Sequence, residues 1–196
     1  MGQQKRELFQ TAISPFFSEY YLWTEPEKPD LVRSIPQIVA PLETKEADIV
    51  IAGRTEESIK TYPEFQIESE MRMNRVYAEA TGLCDADPTF SPVAFTREML
   101  PYFANCNPPE QYGDGTHDNY IQLYAPLVAM AQGHKATTVF VECFYPLAQK
   151  REKEGGGLLN PMREKRKMQS DTITSTWRKM AEVLNLPHRD KGLVNA

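Results

Sequence analysis

The residues best suited to chemistry lie together between Cys106 and Asn119. A thiol, Asp114, His117 and Asp118 share a stretch punctuated by Pro108, Pro109, Gly113 and Gly115. A thiolate nucleophile needs an imidazole to take its proton and a third group to orient that imidazole, and a loop of this composition could bring Cys106 and His117 together. The same residues equally make an ordinary turn in which Asp114-Gly115 shapes the backbone and His117 precedes a helix. Their spacing matches no thiol-enzyme pattern, so no catalytic residue is predicted and the Cys106–His117 pair stands only as an alternative functional reading.

Other constellations are thinner still. Zinc recruits ligands in tight pairs, whereas His117 and His134 are 17 residues apart and Cys106 and Cys143 are 37 apart. Met71 and Met73 read as core filler, since no Cys or His partner accompanies them. Gly155-Gly156-Gly157 before a helix could cradle a phosphate, but it lacks the Lys and Ser/Thr of a P-loop. The acid pairs Glu56-Glu57, Glu68 with Glu70, and Asp85 with Asp87 read as solvated helix faces and turns. No metal or other cofactor is predicted.

Charge is more informative. Lys150 to Ala196 carries 11 Lys and Arg against 6 Asp and Glu, whereas Met1 to Gln149 carries 11 against 21. The densest cluster is Lys150, Arg151, Lys153, Arg163, Lys165, Arg166 and Lys167. Such a run could neutralise RNA phosphates or anionic lipid headgroups, or dock on an acidic protein surface. Residues 148–176 lack the aromatics that stack bases, and the pI of 5.3 is low for a dedicated nucleic-acid binder. Lys165, Arg166 and Lys167 are therefore expected to contact a protein partner.

The N-terminal segment supplies a second candidate surface. Pro15, Pro26, Pro29, Pro36 and Pro41 rule out a long helix after the first dozen residues, yet Phe16, Phe17, Tyr20, Tyr21 and Trp23 crowd into a short stretch. Disordered tails are poor in aromatics, so these residues should lie against something. That surface is either the chain's own domain or another subunit, for which Phe16, Phe17, Tyr20, Tyr21 and Trp23 would be the anchors.

These segments need a body to position them. At 196 residues the chain suits one domain with appendages. Three cysteines and no Asn-x-Ser/Thr site fit a reducing, intracellular compartment, cytoplasm and mitochondrion not being distinguished. The longest nearly apolar run, Ile121 to Ala131, is too short to cross a lipid bilayer. Met73, Val76, Tyr77 and Ala80 give helical spacing within Glu64 to Thr81, and Gly82 supplies the stop. Thr44 would cap a helix carrying Ile49 and Val50, and Ser91-Pro92 would open another reaching about Leu100. For Ala136 to Lys150, Thr137 to Val141 favour a strand while Phe140, Cys143, Phe144 and Leu147 favour a helix; the helix is preferred because no second strand stands out to pair with it. The stripe Ile173, Trp177, Met180, Ala181 and Leu184 marks a C-terminal helix, continuous from Pro161 or joined near Ser170.

The predicted fold is mostly α: an irregular helical body with an extended proline-punctuated N-terminal arm and a long C-terminal helix. Its parts are the arm at 1–43, the body at 44–149, a charged glycine-containing hinge at 150–160, and a basic helix and tail at 161–196. The expected function is that of a non-catalytic structural or accessory subunit of an intracellular assembly, with other protein subunits as partners. The alternatives are an adaptor binding RNA or an anionic membrane surface through residues 150–167, and a cysteine-dependent enzyme using Cys106 and His117.

Overall fold

A computed structural model describes residues 2–13, 18–155 and 159–186. In chain order these form α1 (Gly2–Ile13), β1 (Tyr20–Trp23), α2 (Ile35–Glu43), β2 (Ile49–Arg54), α3 (Glu56–Ile59), α4 (Glu64–Thr81), β3 (Val93–Thr96), α5 (Leu100–Asn105), α6 (Pro108–Tyr112), α7 (Ile121–Ala131), β4 (Ala136–Val141), α8 (Leu147–Glu154) and α9 (Leu159–Leu184). The fold is mostly α with a long C-terminal helix, as expected, and it is organised around a small sheet of order β1-β3-β2-β4. β2 pairs in parallel with β4 and antiparallel with β3, which pairs antiparallel with β1.

The sheet separates two apolar layers. Ile49 and Ile51 of β2 enter a large core with Met73, Tyr77, Phe95, Phe103, Tyr124 and Trp177, while Val50 and Ala52 enter a smaller one with Leu31, Ile38 and Leu42. Every residue of β2 is buried. A strand covered on both faces reads as a continuous apolar run rather than an alternating one, and the expected helix carrying Ile49 and Val50 is therefore wrong. Thr44 ends α2 instead of opening a new helix.

The same cause corrects the preference for helix over 136–150. Thr137 to Val141 pair residue by residue with β2, Val50 opposite Thr137 and Ala52 opposite Val139, so the strand partner missing from the sequence reading was β2 itself. Helix resumes only at Leu147. Ser91-Pro92 likewise leads into β3, not a helix, with Ser91 in a left-handed conformation at φ 86°.

The N-terminal segment packs on its own domain. Phe9 lies between Trp23, Phe95 and Phe103, at ring-centroid distances of 5.5, 6.2 and 5.2 Å. β1 closes one edge of the sheet, so the prolines interrupt helix without detaching the segment. α4 and the C-terminal half of α9 pack together through Tyr77 and Trp177, whose ring centroids are 5.0 Å apart, and the Trp177 indole donates to the Leu123 carbonyl at 3.1 Å. α9 runs unbroken through Ser170; its second half is core, and its first half, carrying most of the basic residues, is half-buried or exposed.

Candidate functional site

A polar cleft opens beyond the carboxyl ends of β2 and β4, the position at which open α/β sheets hold ligands. Its inner chamber, of about 340 Å³, is lined by Arg54 at the end of β2, Gln66 and Glu70 of α4, Ser91, Gln122 of α7, and Arg166 of α9. An outer chamber of about 250 Å³ reaches Cys143 and Tyr145, just past β4. Glu25, Glu27, Lys28, Tyr62, Gln66, Lys153 and Arg166 line both chambers.

The floor is built on Arg54, which is 3% exposed. Its Nε and Nη2 donate to the two carboxylate oxygens of Asp87 at 2.7 and 2.8 Å, and its Nη1 donates to Glu70 Oε2 at 2.7 Å. Asn74 donates to Asp87 at 2.7 Å and is itself held by Thr89, whose hydroxyl donates to Asn74 Oδ1 at 2.8 Å, and the Gln66 amide donates to Glu70 Oε1 at 2.8 Å. Burial works against the Arg54 charge, but Glu70 and Asp87 more than offset it and hold its pKa above the ordinary arginine value. The guanidinium also lies over the Tyr62 ring at 4.5 Å and the Phe90 ring at 5.5 Å. Gly53 makes room for this: a Cβ there would come within 3.0 Å of the Phe140 ring and 3.2 Å of Asp87.

Three uncharged groups complete the inner chamber. Gln66 is 6% exposed; its Nε2 is held by Glu70 and its Oε1 has no hydrogen-bond partner among the described residues. Buried carbonyl oxygens are normally satisfied, so this acceptor is conspicuous. Gln122 is oriented from the far side. Lys5 of α1 donates to its Oε1 at 2.9 Å, which turns Nε2 toward Ser91 Oγ at 3.4 Å. Burial lowers the Lys5 pKa, with Glu25 and Asp118 opposing. Ser91 thus accepts from Gln122 and retains its own proton to donate. It does so from a backbone conformation that side-chain-bearing residues adopt at an energetic cost.

The rim is mixed in charge, with Glu25 and Glu27 set among Lys28, Lys153, Lys165 and Arg166. Lys28 pairs with Glu25, while Arg166 donates to Gln169 at 3.0 Å and approaches Glu70 at 3.7 Å. Lys153 lies over the Tyr145 ring at 5.1 Å. Among the described residues, Lys153 and Lys165 form no salt bridge. No three His, Cys, Asp or Glu side chains among the described residues come together as a metal-binding group.

The residues expected to bind partners divide. Phe16 and Phe17 lie outside the described residues. Tyr20, Tyr21 and Trp23 are half-buried in β1, where Tyr21 stacks on Phe95 at 5.8 Å and donates to the Ala12 carbonyl at 3.2 Å. Lys165 and Arg166 line the inner chamber, and Lys167 is exposed outside it. Cys106 is buried in the large core, and burial pushes its thiol up to about 12, whereas His117 is exposed and its backbone N–H donates to Thr176. The structure gives Cys106 the environment of a protonated core thiol.

Glu70 and Asp87, read from the sequence as solvated acids, are instead 2% and 4% exposed because both are paired with Arg54; Ser91 reads only as a helix start, and Arg54, Gln66 and Gln122 carry no functional expectation. One signal was present. Gln66, Glu70, Met73 and Tyr77 lie four, three and four residues apart, so two polar side chains continue the buried stripe of α4. Polar residues on a core-facing stripe point to a buried network. No family model matches the chain, and no curated protein and no solved structure matches it.

Proposed function

We propose that the protein binds a small, anionic, hydrogen-bonding molecule in the cleft at the carboxyl ends of β2 and β4. The observation that carries this reading is Gln66, which lines a chamber bordered by Lys28, Lys153, Lys165 and Arg166 as well as Glu25 and Glu27, and whose buried Oε1 has no hydrogen-bond partner among the described residues. An acceptor left unmet in a folded protein costs roughly 1–3 kcal/mol, and a ligand donor would remove that penalty. The chamber's size falls within the range of small-molecule sites, and the rim cations would attract and orient a negative charge.

Thermal unfolding against phosphorylated, carboxylated and neutral small molecules tests it. A ligand present at about 100 times its Kd adds about 2.7 kcal/mol, which for a chain of this size raises Tm by roughly 5–10 °C. Anionic members should raise Tm and neutral ones should not. A panel in which no anion shifts Tm would sink the proposal.

A second reading, docking as an accessory subunit of an assembly, is favoured by a different observation. Phe140, Phe144 and Leu147 are exposed by 43%, 49% and 61% beside the edge strand β4. Replacing Phe144 and Leu147 by Ser and measuring the mass of the native particle by light scattering tests it; an unchanged particle mass argues against docking through this face.

A further inference from the structure

Resting on the reading that the cleft takes a small anion, we infer that its ligand is a sugar phosphate, with the hydroxylated carbon chain in the inner chamber and the phosphate against the rim cations. Three observations narrow the chemistry. The first concerns what the inner chamber lacks. A nucleobase needs an open aromatic face, but Arg54 lies over both Tyr62 and Phe90, at 4.5 and 5.5 Å, and Lys28 lies over Phe90 at 5.4 Å. The Tyr120 ring is met by Lys5 at 5.7 Å. Each platform is already occupied by a cation, so a flat base would have to displace one.

The second is what the inner chamber offers. Gln66 Oε1 lacks a donor, and Ser91 holds a proton to give while accepting from Gln122. An acceptor and a donor lining one chamber suit hydroxyl groups, each of which both donates and accepts. A purely carboxylated ligand would supply acceptors only and leave Gln66 unmet.

The third is the arrangement of charge. Lys153 and Lys165 form no salt bridge among the described residues, and Arg166, which donates to Gln169 at 3.0 Å, makes a long ionic contact of 3.7 Å to Glu70. Ammonium groups next to a guanidinium suit a phosphate monoester, which carries nearly two negative charges and three acceptor oxygens. The charge of Arg54 is already neutralised by Asp87 and Glu70, which engage three of its five N–H donors.

Isothermal titration of the whole chain at fixed ionic strength, with glucose 6-phosphate, fructose 6-phosphate, ribose 5-phosphate, the parent sugars, inorganic phosphate, adenosine monophosphate and citrate, tests the inference. At least one sugar phosphate should bind tenfold or more tightly than both its parent sugar and inorganic phosphate. Lys153→Gln with Arg166→Gln should bring that affinity down toward the parent sugar's. Gln66→Leu and Ser91→Ala should weaken the sugar phosphate tenfold while leaving inorganic phosphate unchanged. Lys167→Gln, outside the cleft, should change nothing. Tightest binding by adenosine monophosphate or citrate, or equal binding of inorganic phosphate and every sugar phosphate, overturns this inference while leaving the anion reading in place. Failure of every anion to bind removes both.

Discussion

The floor and the rim of the cleft both carry strong charge, and they are built in opposite ways. On the floor, Arg54 is buried with Asp87 and Glu70, and each charge is held by hydrogen bonds of 2.7–2.8 Å. On the rim, Lys153 and Lys165 lack salt bridges among the described residues, and Arg166 is a quarter exposed. A buried charge is tolerated only when paired, so removing one floor partner strands the others. A half-exposed charge can be lost with little effect on folding. The floor therefore serves the fold, while the rim is free to serve a ligand.

The sharpest test of that contrast is Arg54→Met. It leaves Asp87 and Glu70 buried without their cation, and it should destabilise the chain by about 3–5 kcal/mol in denaturant unfolding. A loss under about 1 kcal/mol would show that the floor is as adaptable as the rim. At the rim, Lys153→Gln with Arg166→Gln should change stability by no more than about 0.5 kcal/mol per site while weakening an anionic ligand at least tenfold, about 1.4 kcal/mol. If stability fell as it does for Arg54→Met, the distinction between floor and rim would be lost.

The contrast also explains what the sequence disclosed. The rim was legible as a basic run because exposed charge leaves an uninterrupted composition signal, but that signal is silent on direction. Lys165 and Arg166 turn toward the chain's own cleft and Lys167 does not. The floor was hidden for the reverse reason. Glu70 and Asp87 lie 16 and 33 residues beyond Arg54 and meet it only where α4 and the segment from Asp87 to Phe90 pack at the end of β2. The periodic helices, Glu64–Thr81 above all, could be read directly. The strands could not, because β2 is covered on both faces and β4 declares itself only against β2. For the aromatics of β1 the sequence left the chain's own domain and another subunit both open, and Tyr20, Tyr21 and Trp23 are half-buried against their own domain.

Buried ionisable groups away from the cleft give a pH-dependent counterpart. Burial raises the Cys106 thiol to about 12, from about 9 when exposed, and also raises Tyr77 and Tyr124. A raised folded pKa means that the unfolded chain loses its proton first, so the stabilisation is complete below about pH 9 and is lost between pH 9 and 12. One such thiol contributes a slope of roughly 1.4 kcal/mol per pH unit over that window. Chemical denaturation at pH 8, 9.5 and 10.5 should show falling stability, less steeply in Cys106→Ala. Alkylation at pH 8 followed by intact-mass measurement should label exposed Cys84 well before buried Cys106 or Cys143. Rapid labelling of Cys106 would instead give it the accessible thiolate that a nucleophile requires.

Ser91 is the one place where floor and rim logic meet, and its effect should be the smallest. Its φ of 86° carries strain of the kind that Gly would relieve, and among the described residues its side chain bonds to Gln122 alone, at a long 3.4 Å. Relief of strain outweighs the added flexibility of Gly in the unfolded chain. Ser91→Gly should therefore stabilise the protein by about 0.5–1 kcal/mol in denaturant unfolding while weakening a hydroxylated ligand. A variant both more stable and poorer at binding identifies strain retained for recognition, because a residue kept only for the fold would not improve the fold when removed. Should Ser91→Gly unfold more easily than the parent, Ser91 belongs with Arg54 among the groups that hold the cleft together.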